Sequence, residues 1–293
     1  MTKIILFYKF VPIKNPVEIM NSQRYLCSSL ELKGRILISD QGINGTLGGS
    51  KQNLNSYIKA NNSDELLSNI HYKWSDGTKD TFPKLSIKVR DEIITFNAKD
   101  EITVDNSGVV GRAEQINADQ LHDLIAKEGD RVIFFDGRNS YESAIGRFKG
   151  AILPNVANTK DFIEEIKDPK YDYLKDKILI TYCTGGIRCE ILGTLLKHRG
   201  FKNVFQLDGG IVSYCEKYGD QGLWEGSVYI FDRRMTIDYS AKTKKLGSCS
   251  YCGAKTNRYI NCANKVCNLL FLACESCSHK TYCLNEPISA IVV

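Results

Sequence analysis

Residues 180–191 read ITYCTGGIRCEI. An apolar, β-branched run stops abruptly at Cys183, two glycines follow, and Arg188 opens what reads as a helix. Strand, tight glycine turn, helix is the pattern of an α/β unit. Gly185 and Gly186 let the backbone curl, so that the amides of Thr184, Gly185, Gly186 and Ile187 converge on one point as an anion-binding loop. The helix adds its positive N-terminal end. A thiol at the centre is therefore expected to ionise below the free value of about 8.5. Arg188 closes the ring and is expected to hold an anion through paired hydrogen bonds. Cys189, in the first helical turn, has two readings: a resolving thiol for an oxidised or persulfidated Cys183, or a small residue packing helix onto sheet.

The flanks extend the pattern. INADQLHDLIAKEGD reads as a capped helix, RVIFFDGR as a short buried strand, and TKDFIEEI, KILITYC, RCEILGTLLKHRG and NVFQLDGG continue the alternation of helix and strand. Continuous apolar strands between helices predict a parallel sheet covered on both faces. Asp136, Cys183 and Asp208 then end their strands along one carboxyl rim, where open α/β sheets place their chemistry.

Residues 1–112 differ in style. A β-rich 4–11, a helix over 16–32 with Pro16 in its first turn, a strand at 35–39, a helix over 51–60 and a strand or hairpin at 84–96 give the order β-α-β-β-α-β. That order predicts a ferredoxin-like α+β sandwich. QGINGTLGGS lacks the lysine of a phosphate-binding loop and reads as a hairpin turn at Asn44-Gly45, with 42–45 as the turn and 46–47 starting the return strand. The predicted division is 1–112, 113–220 and a linker with cysteine-rich tail over 221–293. At 293 residues and 43% hydrophobic content, more than one domain is expected. The apolar run near the N-terminus is short and flanked by lysines, so it reads as a strand rather than a signal or a membrane span.

Seven of the eleven cysteines fall between Cys249 and Cys283. The two CxxC pairs, Cys249/Cys252 and Cys274/Cys277, have the spacing of a four-thiolate zinc site, and Cys262, Cys267 and Cys283, with His279 nearby, suggest a second. A small tail with few core residues needs such a staple. Metal spacing rather than disulfide spacing points to a reducing, cytoplasmic setting. The formal charge is +5. It is distributed as +3, −2 and +4 over the three segments. Arg233, Arg234, Lys244, Lys245 and Arg258 are the candidate contacts to a polyanion such as RNA, against the reading of an ordinary solvated basic face.

Residues 113–220 resemble a rhodanese domain. The family's Asp-x-Arg…Glu…Gly…Gly-Ala signature is met by Asp136, Arg138, Glu142, Gly146, Gly150 and Ala151, and its active-site loop by YCTGGIRCE. Arg147 stands where the family often has histidine. The loop is one residue shorter than that of phosphatases, which suits a sulfur or another small group on the thiol. GINGT upstream, VYIFDRR and the cysteine-rich tail downstream make nearly the whole chain similar to the tRNA uridine(34) hydroxylase family. That resemblance implies conversion of the wobble uridine in the tRNA anticodon loop to 5-hydroxyuridine, with molecular oxygen as co-substrate, Cys183 essential and Cys189 as the second motif cysteine. No flavin or nicotinamide fingerprint is present. The alternative is a sulfurtransferase working through a Cys183 persulfide.

Overall fold

The computed structural model describes residues 2–284. The N-terminal unit runs β1 (Thr2–Phe10), α1 (Pro16–Ser29), β2 (Lys33–Ser39), β3 (Gly42–Ser50), α2 (Lys51–Asn62), β4 (Lys73–Asp76) and β5 (Leu85–Val89). Asn15 caps α1 by accepting the Glu18 amide, and Ser50 caps α2 by accepting that of Asn53. The sheet order is β4-β1-β3-β2-β5. The first four strands form the split βαβ sandwich. Strand alternation turns Ile5, Phe7, Ile36 and Leu47 toward the helices, where they bury with Leu54 and Tyr57. Leu6, Tyr8, Leu37 and Asn44 therefore point to the other face.

Two expectations for this unit are corrected. The strand closing the β-α-β-β-α-β order is Lys73–Asp76, and Leu85–Val89 is an extra edge strand parallel to β2. Residues 90–103 are irregular and bury Ile93, Phe96, Ala98 and Ile102 in the core of the central domain. Asn44-Gly45 is not a turn. The hairpin turns at Asp40–Gln41, closed by the Ser39 hydroxyl accepting the Gln41 amide, while Asn44 pairs with Leu37 and Gly45 with Ile36 in mid-strand. The glycines serve close approach instead. A Cβ on Gly45 would lie 2.4 Å from the Phe7 ring, and one on Gly42, at φ +148°, 2.1 Å from the Lys9 carbonyl oxygen.

The central domain comprises β6 (Glu114–Ile116), α3 (Ala118–Glu128), β7 (Val132–Asp136), β8 (Ile178–Tyr182), α4 (Ile187–His198), β9 (Asn203–Leu207) and α5 (Gly210–Tyr218). Its sheet is parallel throughout, in the order β6-β9-β8-β7, with β8 fully buried. Asn117 and Gln120 form a capping box on α3. The helix expected at 159–166 is reduced to a 3-10 turn and one helical turn, Phe162–Glu165. Below the rim, Arg138 is wholly buried. It donates to both Asp136 oxygens, at 2.9 and 2.6 Å, and to the Gly146 carbonyl at 2.6 Å. The Tyr182 hydroxyl adds a 2.8 Å bond to Asp136. The Asp-x-Arg pair is thus a structural clamp on the 136–146 segment. Trp224 buries against Phe148 and Tyr182, so the first residues of the expected linker belong to this core.

The tail carries a small antiparallel ladder, Tyr259–Asn261 with Leu270–Leu272. It is anchored by the Tyr259 hydroxyl donating to the Tyr141 carbonyl at 2.6 Å. Among the described residues no helix is long and apolar enough to cross a membrane.

Gly42→Ala combines a left-handed φ with a backbone collision, so it should cost about 1–3 kcal/mol. A lower denaturant midpoint in urea unfolding is the expected result; an unchanged midpoint would refute the close-approach role.

Candidate active site

Cys183 follows β8 directly and is 1% exposed. The Gly186 amide donates to its sulfur at 3.1 Å, and the Arg188 amide and the Cys189 thiol also donate to it. Gly186 takes φ +97°, the left-handed turn that brings these donors around. A second glycine pair holds the loop from outside. Gly209 and Gly210 both have positive φ, and the Ile211 and Val212 amides donate to the carbonyls of Cys183 and Thr184 at 3.0 and 3.1 Å. A Cβ on Gly210 would lie 2.4 Å from the Cys183 oxygen.

Burial alone pushes a thiol up, as at Cys27, where it reaches about 12. At Cys183 the same burial is outweighed by the Cys189 hydrogen bond, the Arg188 guanidinium and the two amides, and the thiol is held down at about 5. Cys189 is pushed the opposite way, by burial and by the neighbouring thiolate. One sulfur is therefore ionised and the other protonated. Cys189, wholly buried, acts here as a hydrogen-bond donor to Cys183.

The expected anion-gripping fork of Arg188 is already occupied. Its Nη1 and Nη2 reach the two oxygens of Glu142 at 2.5 and 2.7 Å, both side chains being buried. Glu142 also accepts from the Asn139 amide at 3.2 Å and the Thr184 hydroxyl at 3.3 Å. A guanidinium at this depth needs a counter-charge, and Glu142 supplies it. Arg188 thus acts on Cys183 through its backbone amide and its field, while its guanidinium lies 5.7 Å from the Phe231 ring.

The outer face of the N-terminal sheet covers the loop. Leu6 packs where a Gly185 side chain would stand, 2.7 Å from its would-be Cβ, and Lys73 donates to the Gly185 carbonyl and lies over the Tyr8 ring. The Tyr8 hydroxyl bonds Glu190 at 3.2 Å, and Glu190 also accepts from Gln115 and Gln206 at 2.9 and 3.0 Å. Burial raises the Glu190 carboxyl. Between sheet and loop lies a cleft of about 680 Å³, with Cys183, Thr184, Gly185, Ile187 and Arg188 in its wall. Asn44 lines it too, its amide donating to the Ile93 carbonyl at 2.9 Å.

Sequence reasoning missed Glu142, Tyr8, Lys73 and Glu190 as site residues. Glu142 stood in the matched signature with no role attached. For Tyr8, the signal was a first strand apolar on both alternating faces, which means that both are covered.

In the tail, the sulfurs of Cys249, Cys252, Cys274 and Cys277 all lie within 4.8 Å of one another, as do those of Cys262, Cys267 and Cys283. The first set has the four soft donors of a closed tetrahedral site; the second offers three. His279 joins neither group. The proposed RNA cations are mostly engaged. Arg234 pairs with Asp232 and donates to the Asp76 carbonyl at 2.6 Å. Lys245 pairs with Asp238 at 2.5 Å, Lys244 lies 3.8 Å from Glu225, and Arg258 donates to the Ala273 carbonyl at 3.3 Å. Arg233 is exposed.

Three family models match the chain: a UPF0176 acylphosphatase like domain over residues 2–93, a rhodanese-like domain over 117–217 and a rhodanase C-terminal region over 225–286. The chain is 52% identical to a tRNA uridine(34) hydroxylase of Corynebacterium jeikeium, over 94% of its own length and 90% of the relative's. It is 50% identical to that of Corynebacterium urealyticum, over 94% and 93% of the two chains. It is 49% identical to that of Corynebacterium glutamicum strain R, over 99% and 94%.

Because the Cys183 thiol is held at about 5, its thiolate persists through neutral pH and is lost only as the pH falls through that value. The rate of its alkylation by iodoacetamide should therefore be flat from neutral pH down and halve near pH 5. A midpoint near the free-thiol value of about 8.5 would contradict the geometry.

Proposed function

The chain belongs to the tRNA uridine(34) hydroxylase family, and from that premise we propose that it converts the wobble uridine of tRNA to 5-hydroxyuridine at Cys183, with molecular oxygen as the source of the added atom. The observation that carries this reading is an ionised sulfur in the wall of a cleft large enough for a nucleoside. Uracil C5 becomes strongly nucleophilic once a nucleophile has added at C6. Cys183 adds there, forming an S–C6 bond and moving an electron pair toward O4, so that C5 is left as an enolate carbon able to attack an electrophilic oxygen. C5 bonds one atom of O2 and, with a proton, becomes a C5 hydroperoxide. A pair of cellular thiols acts as the two-electron donor that takes the outer oxygen off as water, leaving C5–OH. H5 then leaves as a proton and the S–C6 bond breaks, returning the thiolate. The low thiol pKa serves both ends, since the sulfur is nucleophilic at neutral pH and is also a good leaving group. Loop amides and the Arg188 field stabilise the sulfur when it departs with its charge.

The substrate partner is the tRNA anticodon loop, where a splayed single strand presents its base for reaction. None of the eleven cysteines is joined in a disulfide, which supports a reducing cytoplasmic setting. Zinc is the metal the tail suits: Cys249, Cys252, Cys274 and Cys277 would hold it as four thiolates, and Cys262, Cys267 and Cys283 would hold a second ion through three. Its role is structural, tying a small tail together beside Tyr141.

Two experiments test this reading. Nucleosides from the tRNA of cells lacking the gene should contain no 5-hydroxyuridine. Wild-type protein should restore it and Cys183→Ser should not, and under isotopically heavy oxygen gas the product should gain the label. Product from Cys183→Ser, or thiosulfate:cyanide sulfur transfer with unchanged tRNA nucleosides, would reject the proposal. For the tail, metal analysis of protein purified without chelator should find at least one zinc per chain, and stripping it should lower the melting temperature. Metal-free protein with unchanged melting would remove the staple.

A further inference from the structure

The cations that the sequence offered for RNA lie largely in internal ion pairs, whereas others stand at the cleft itself. Arg35, on β2, and Lys160, in the turn after Asn158, both line the cleft, and both are exposed. Neither side chain makes a hydrogen bond or ion pair with another described residue. They belong to different domains, Arg35 to the N-terminal sheet and Lys160 to the central domain. Phe231 lines the same cleft and is 53% exposed. One neighbour of its ring is Tyr229, edge-on at a centroid distance of 5.2 Å, and another is the Arg188 guanidinium. These contacts leave Phe231 more than half exposed at the wall of the nucleophile's cleft. Aromatic rings and unpaired cations are the two groups that single-stranded nucleic acid binders use, the first to stack a base and the second to meet phosphates.

We propose that the cleft between the N-terminal sheet and the Cys183 loop binds an everted nucleotide of single-stranded RNA, with Phe231 stacking a base and Arg35 and Lys160 contacting backbone phosphates. This deepens the hydroxylase reading and rests on it. It also gives the N-terminal unit a function: it is one jaw of the RNA site, carrying Arg35 on the sheet face that its own helices leave open, while the central domain supplies the other jaw and the sulfur.

The test is binding of an anticodon stem-loop RNA with uridine at the wobble position to the full-length protein, followed by fluorescence anisotropy over a range of salt. The double variant Arg35→Ala/Lys160→Ala should bind roughly ten-fold more weakly at physiological salt. Its log–log salt slope should shrink by about 1.4, since each single-strand phosphate contact contributes about 0.7. Phe231→Ala should weaken binding roughly ten-fold with the slope unchanged, and Phe231→Tyr should bind as wild type. Lys245→Ala, which removes a cation already paired with Asp238, should leave the slope alone. An unchanged affinity and slope in the double variant, or an unchanged affinity in Phe231→Ala, would overturn the proposal. If those variants bind normally while wild type still makes 5-hydroxyuridine through Cys183, only this inference fails. If they lose binding as expected while wild type yields no product, only the activity reading fails.

Discussion

Neither the Arg188 guanidinium nor the Glu142 carboxylate could be buried beside Cys183 without the other. Each would bear a desolvation cost of several kcal/mol, and removing one partner of such a pair typically costs about 3–5 kcal/mol. Together they are neutral, bidentate and fixed. Arg188 is thereby set as the first polar residue of α4, so its amide reaches the Cys183 sulfur from one side while Gly186 reaches it from another. The rest of the site follows from that placement. Thr184 is drawn to Glu142, Phe231 has the guanidinium for a neighbour, and Cys189, one residue on, turns its thiol to Cys183.

The same constraint explains the use of the other domains. A thiolate this deep needs a wall that excludes bulk water yet leaves a way in. The N-terminal sheet is that wall, because its helices cover only one face and Leu6 and Tyr8 are free to press the other onto Gly185 and Gly186. Tyr8, Glu190, Gln115 and Gln206 then form a polar seam where sheet and central domain meet. The tail reaches the site through its anchor at Tyr141, whose helical turn, Ser140–Ser143, also carries Glu142. The cysteine-rich tail thus bears on the residue that positions Arg188.

The sequence was most legible where cause and effect are local. Strand, cysteine, glycine pair and helix lie within a dozen residues, so the loop could be read from them, and the parallel sheet from the alternation of apolar strands and helices on either side. Glu142 was not legible in its role because it meets Arg188 across 46 residues, a distance that only the folded sheet closes. Asn44-Gly45 misled because a hairpin dipeptide also occurs in mid-strand when a ring such as Phe7 needs the space of a missing side chain. Lys73–Asp76 escaped notice as a short, polar edge strand with no alternation to reveal it. The basic residues of the tail were visible as charges, but their pairing was not. Asp232 stood two residues from Arg234, and that pairing was the clue passed over.

The central claim is that Glu142 and Arg188 act as one unit upon Cys183. A double-mutant cycle on 5-hydroxyuridine formation, using Glu142→Gln, Arg188→Lys and the two combined, addresses it directly. The account predicts that either single change removes most of the rate and that the double variant is scarcely worse than the weaker single one. Losses that simply add would mean that the two residues contribute independently, and the pair would no longer explain the state of the sulfur.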